Sequence, residues 1–155
     1  MKQILIALDY EPSAEKIAEA GIALAQKIGA GVTLVHVVAN AAYYSSLDYS
    51  PIMGFTGFGM TNNLQTTFIE LKAGAQDFLD KSREHLNDSS IRTIVKEGEA
   101  EDGILEAAKE VHADIIVMGS QSRSGLDKIL MGSVTEKVLH LTSVPLYIIP
   151  TKKKK

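Results

Sequence analysis

Five short stretches of this chain are dominated by apolar, mostly β-branched residues: Ile4–Leu8, Val32–Val38, Ile91–Val95, Ile115–Met118 and Leu146–Ile149. Runs of this length without polar alternation predict strands covered on both faces. Between them, apolar residues recur at helical spacing. Ile17, Gly21, Leu24, Ala25 and Ile28 form one such stripe, and Leu64, Phe68, Leu71, Ala75, Phe78, Leu79 and Leu86 form a second. Ile104, Ala107, Ala108 and Val111 form a third, and Val134, Val138 and Leu141 a fourth. Each predicts a helix with one buried face.

The punctuation fits these elements. Glu11-Pro12-Ser13 reads as a helix start with Pro near the first turn, and Gly29 and Gly31 as its end and the following turn. Asn87–Ser90 is a turn, and Gly98 breaks the chain before Glu101 and Asp102, whose charge suits a first helical turn. Pro145 stands where the last strand begins, a place that need not donate to a ladder. Strand alternates with helix throughout. The pattern therefore predicts an α/β fold, a doubly wound, open parallel sheet with helices on both faces. Residues 40–63 are the irregular part, holding Tyr43, Tyr44, Tyr49, Phe55 and Phe58 among glycines. They read as a surface loop whose aromatics pack on the domain, with a lid or partner surface as the alternative.

Composition narrows the class. The chain has 155 residues, 45% hydrophobic and 23% charged, which suits one globular domain over residues 1–150 followed by a basic tail at 151–155. A net charge of −3 does not suggest broad nucleic-acid binding. The absence of cysteine excludes disulfides, thiolate catalysis and thiolate metal sites. No leader precedes the first strand and no apolar run is long enough to span a bilayer, so no membrane role and a cytoplasmic location are expected. His36 in the second strand reads as a satisfied core residue.

The candidate chemistry lies at 114–136. A strand ends at Gly119, a polar loop with Ser120, Ser122, Arg123, Ser124 and Gly125 follows, and Gly132-Ser133-Val134-Thr135 opens a helix. The first-turn amides of a helix have no partner within it, and its dipole adds positive potential there. A glycine at that point lets an anion approach, Ser133 and Thr135 add hydroxyls, and phosphate is the expected guest. Ser133 also reads as an N-cap with Glu136 three residues on.

This arrangement resembles the universal stress protein family. Its nucleotide-binding members carry Gly, two residues, Gly, nine residues, Gly, then Ser or Thr. Gly119, Gly132 and Ser133 fall in register, Val134-Thr135 is similar, and Ser122 replaces the second glycine. If that position is left-handed, its Cβ costs about 1–2 kcal/mol. Ala100 stands where family members often carry Pro. The resemblance runs from Ile4 to Ile149 and implies a Rossmann-like five-stranded sheet in the order 3-2-1-4-5. Strands one and four would then sit side by side where the winding reverses, the usual ligand crevice.

The resemblance further implies ATP or AMP as ligand. Ala7, Leu8 and Asp9 would line the end of the first strand, with Asp9 on ribose or a bound magnesium ion, because a carboxylate repels phosphate. Asp9 also reads as a cap of the first helix. Val37 would present its backbone to adenine, and Met118 and Val37 would flank the base. Gly119, Ser122, Gly132, Ser133, Val134 and Thr135 would surround the phosphates, both hydroxyls assisting. Arg123 reads equally as a phosphate partner and as a solvated cation.

No Walker loop, nucleophile elbow, metal-spaced histidines or carboxylate pair is evident, so no catalytic residue is assigned and weak hydrolysis is the upper bound. The leading reading is an adenine-nucleotide-binding stress-response regulator. The alternative is a nucleotide-free interaction module, a homodimer through Val144–Ile149, since the family commonly pairs across that apolar edge. An enzyme of nucleotidyl chemistry comes third.

Overall fold

The computed structural model describes residues 2–9, 13–38, 57–120 and 132–151, with the side chains of 57–68 left aside. Its elements run β1 (Gln3–Ala7), α1 (Ala14–Ile28), β2 (Gly31–Val38), α2 (Gly57–His85), β3 (Arg92–Glu97), α3 (Ala100–Glu110), β4 (Ile115–Gly119), α4 (Ser133–Leu141) and β5 (Leu146–Ile149). The strands form one five-stranded parallel sheet in the order β3-β2-β1-β4-β5, as the resemblance implies. β1 is central, and Ile4, Leu5 and Ile6 are fully buried. That explains their unbroken apolar run, because successive side chains face opposite layers and both layers are covered.

Ile4, Ile6, Leu8, Leu34 and Val117 pack with Ile17, Ala18 and Ala25 of α1 and with Leu79 of α2. Leu5, Val35, Ile116 and Met118 pack with Ile104, Ala107 and Ala108 of α3 and with Val138 of α4. Two glycines permit these close approaches. A Cβ at Gly21 would stand 2.5 Å from Ile6 Cδ1, and one at Gly103 would stand 2.7 Å from Val37 Cγ2.

Several boundaries differ from the sequence pattern. Gly29 ends α1 in left-handed backbone (φ 68°) and donates its N–H to Ala25 O, but Gly31 is already the first residue of β2. Ile28 and Leu141, placed on buried stripes, are 39% and 61% exposed. Each is the last residue of its helix, beyond the reach of the sheet. α2 begins at Gly57, inside the segment read as irregular, while 39–56 lie outside the described residues. Among the described residues, no helix is long and apolar enough to cross a membrane.

β3 is locked to α3 by charge. Lys96 pairs with Glu106 at 2.9 Å and with Glu110 one turn further on. The hydrogen bond to Glu110, then that to Glu106, holds the Lys96 ammonium above its ordinary value of 10.5. A lysine raised on folding adds stability below its ordinary range and loses it as pH rises through the raised value. Lys96→Met should therefore weaken the fold at neutral pH by about 0.5–1 kcal/mol, since both carboxylates are solvent-screened. Urea titrations should show that gap closing above pH 10.5.

Candidate functional site

The site is built where the sheet's winding reverses. β1 and β4 run parallel through Ile6↔Val117, so Ala7–Asp9 and Met118–Ser120 leave the sheet side by side. Leu8 N–H still donates to Val35 O, which keeps the end of β1 against β2. His36 Nδ1–H donates to Leu8 O at 2.8 Å, and its ring meets Phe78 edge-on at 5.7 Å. His36 is thus the satisfied core residue expected from the sequence, and it fixes the carbonyl just before Asp9. Ala7 and Asp9 are half-buried and Leu8 is buried. Val37 lies two residues past the Ala7↔Val35 pair, level with Asp9.

The side chains of Val37 and Met118 belong to the core beneath α3 and α4, with Met118 4% exposed. Their backbones, rather than their side chains, are what this end of the sheet offers. Gly119 is also closely packed, in a way not visible in the sequence. A Cβ there would stand 2.6 Å from Ile17 Cδ1 and 2.9 Å from Thr151 Cγ2.

α4 starts directly over this edge. Gly132 N–H donates to Ser120 O at 2.6 Å, and Thr135 Oγ1 donates to Gly119 O at 2.9 Å. These two bonds draw the first turn of α4 onto the carboxyl end of β4. The N-cap is Gly132, in extended backbone (φ −69°, ψ 158°), and makes no side-chain capping bond. The capping box expected at Ser133 and Glu136 is therefore not formed. Ser133 is already inside the helix, and Glu136 N–H bonds Gly132 O as an ordinary helical amide. The amides of Ser133, Val134 and Thr135 donate to no group among the described residues. These are the orphan donors that any helix start presents.

The expectation that both hydroxyls face a phosphate is narrowed. Ser133 is exposed, but Thr135 is 2% exposed and its hydroxyl proton is committed to Gly119 O. Ser122 and Arg123 lie outside the described residues.

Sequence reasoning missed one part of this edge. Thr151 N–H donates to Ser120 Oγ at 3.0 Å, the two hydroxyl oxygens are 3.3 Å apart, and Ser120 N–H donates to Ile149 O. The chain leaving β5 is thereby tied to the residue where the Gly119 loop begins. No spacing in the sequence marks Thr151, which looks like the start of a tail.

With this geometry in view, known proteins give a consistent comparison. The sequence profile of the Universal stress protein family matches residues 1–150. Universal stress protein MJ0531 of Methanocaldococcus jannaschii is 29% identical over 155 residues, spanning 99% of this chain and 84% of the relative. The solved structure of protein MJ0577 superposes with a TM-score of 0.77 at 24% identity, covering 99% of this chain and 98% of the other. A universal stress protein solved in complex with cAMP superposes at 0.59 with 16% identity, covering 96% and 95%. At such identities these likenesses establish a shared fold.

Proposed function

The chain belongs to the universal stress protein family, and from that premise we propose that it is a cytoplasmic stress-response regulator that binds ATP or AMP and hydrolyses it weakly at most. The observation that carries this reading is the set of three amides at Ser133, Val134 and Thr135. They lack partners among the described residues and stand over the carboxyl end of β4, beside the exit of β1. Amides so placed, with the helix dipole behind them, stabilise a phosphate dianion. A relative whose structure holds cAMP lends support, since cAMP presents the same adenine, ribose and phosphate groups.

The roles follow from position. Gly132 leaves room for phosphate, the Ser133 hydroxyl adds a donor, and the Val37 backbone meets the base at the end of β2. Asp9 takes the ribose hydroxyls or one face of a magnesium ion, which commonly needs just one protein carboxylate when phosphates supply the other oxygens. Ser122 and Arg123, in the Gly119 loop, complete the phosphate side. Nothing assigned here activates a water, hence the low ceiling on hydrolysis.

Isothermal titration calorimetry on protein stripped of nucleotide tests the reading. Saturable heat with ATP or AMP at or below millimolar concentration is expected, and a flat titration with both would refute it.

A second reading has its own observation. β5 is an edge strand whose Tyr147 is 43% exposed, and Leu139 and Leu141 of α4 are 49% and 61% exposed. A homodimer through Val144–Ile149 would cover that edge. In this reading the chain is a nucleotide-free interaction module whose signal is assembly. Light scattering that finds monomer alone at micromolar concentration would remove it.

A further inference from the structure

α1 carries Glu15 and Glu19 one turn apart, and His85 is the last residue of α2. One ligand atom from each lies within 4.8 Å of the other two. His85 Nε2 stands 2.8 Å from Glu15 Oε1 and 3.2 Å from Glu19 Oε2. A ring nitrogen carries at most one proton, and one N–H cannot point straight at two oxygens. The glutamates also repel each other across one helical turn. Among the described residues, neither has a lysine or arginine partner. A single His85 N–H therefore serves one carboxylate well at a time, and the other is left to solvent.

We propose that Glu15, Glu19 and His85 form a binding site for a divalent transition-metal cation, Zn²⁺ fitting best, that staples α1 to the end of α2. In a tetrahedral zinc site with ligands at about 2.0–2.2 Å, neighbouring ligand atoms stand about 3.3–3.6 Å apart. Glu19 Oε2, 3.2 Å from Nε2, stands near that spacing already, and Glu15 Oε1, at 2.8 Å, would have to move outward by less than about 1 Å. One imidazole and two carboxylates suit zinc, whereas calcium and magnesium call for oxygen-only shells. All three side chains are more than half exposed, so water completes the fourth position. The site lies outside the proposed nucleotide cleft and does not depend on it. It would hold the first turn of α1, the helix that follows Asp9, against α2.

The test is calorimetric titration of ZnCl₂ into the full chain after EDTA treatment and dialysis, alongside three variants. Wild type should bind one equivalent. His85→Gln and the double variant Glu15→Gln/Glu19→Gln should each bind at least about tenfold more weakly, because losing a ligand costs no less than losing its supporting partner. His140→Gln should bind like wild type, since among the described residues His140 reaches one carboxylate, Glu136 at 3.9 Å. Cobalt substitution should give visible d–d bands in wild type that His85→Gln lacks. Melting in EDTA should match for all four proteins, because the changes lie on the surface. No saturable zinc heat in wild type, or unchanged affinity in His85→Gln, would overturn the site. So would loss of binding in His140→Gln alone.

Discussion

Replacing Gly132 with leucine should abolish nucleotide binding while leaving the fold intact. Gly132 has φ −69° and ψ 158°, backbone that any residue adopts, so a side chain there strains nothing. Its N–H bond to Ser120 O and its carbonyl bond to Glu136 N–H are main-chain bonds and survive the change. What changes is the space in front of the Ser133–Thr135 amides. A phosphate must come within hydrogen-bond distance of them, about 2.9 Å, and a branched side chain at the N-cap stands in that path. Displacing the phosphate forfeits several charge-assisted bonds, so affinity should fall by roughly a hundredfold or more, about 2.7 kcal/mol. Calorimetry with ATP and AMP measures the loss, and an unchanged melting temperature separates it from unfolding. Retained affinity in a folded Gly132→Leu protein would mean that phosphate does not use this helix start.

The contrast between Gly132 and Gly119 marks how far the sequence could be read. Both glycines stood out as part of a phosphate pattern. At Gly132 the backbone itself demands no glycine, so the proposed approach of phosphate is the reason left for a residue without a side chain. Gly119 also lies close against Ile17 of α1 and against Thr151, contacts far apart in sequence that no local pattern encodes. The strands were legible because central β1 and β4 are buried on both faces and leave an unbroken apolar record. Helix ends were less so. Ile28 and Leu141 continue their stripes in sequence but project past the sheet. Gly57 and Gly59 disguised the start of α2, because glycine is a poor helix former and the 3.6-residue pattern sets in later. The Ser133 cap failed for a tertiary reason: Ser120 O already holds the amide of Gly132 and fixes the helix start one residue earlier. The Ser120–Thr151 tie was invisible for the same reason as the Gly119 contacts, both partners meeting across the β4–β5 ladder.

Two buried threonines offer the same chemical change with opposite expected outcomes. Thr33 is fully buried in β2, and its Oγ1 has no hydrogen-bond partner among the described residues. Thr135 is 2% exposed, and its Oγ1 donates to Gly119 O. Valine matches threonine in shape but carries a methyl in place of the hydroxyl. At Thr33 the fold bears the desolvation of a hydroxyl and recovers nothing, so Thr33→Val should stabilise by about 1 kcal/mol or more. At Thr135 the same exchange removes the bond that seats α4 on the end of β4 and leaves a carbonyl short of a donor. Thr135→Val should therefore destabilise by about 1–3 kcal/mol. For a domain of this length each kcal/mol moves the melting temperature by roughly 2–4 °C, so the two variants should melt on opposite sides of wild type. The second also bears on the site. Thr135 is the side chain that holds the orphan amides in register with β4, so its loss should weaken nucleotide binding even where the protein is fully folded, while Thr33→Val leaves binding unchanged. If both variants melt alike, the Thr135–Gly119 bond contributes nothing to the fold. The seating of the α4 helix would then rest on the packing of Val134 and Val138 and, among the described residues, on the Gly132–Ser120 bond.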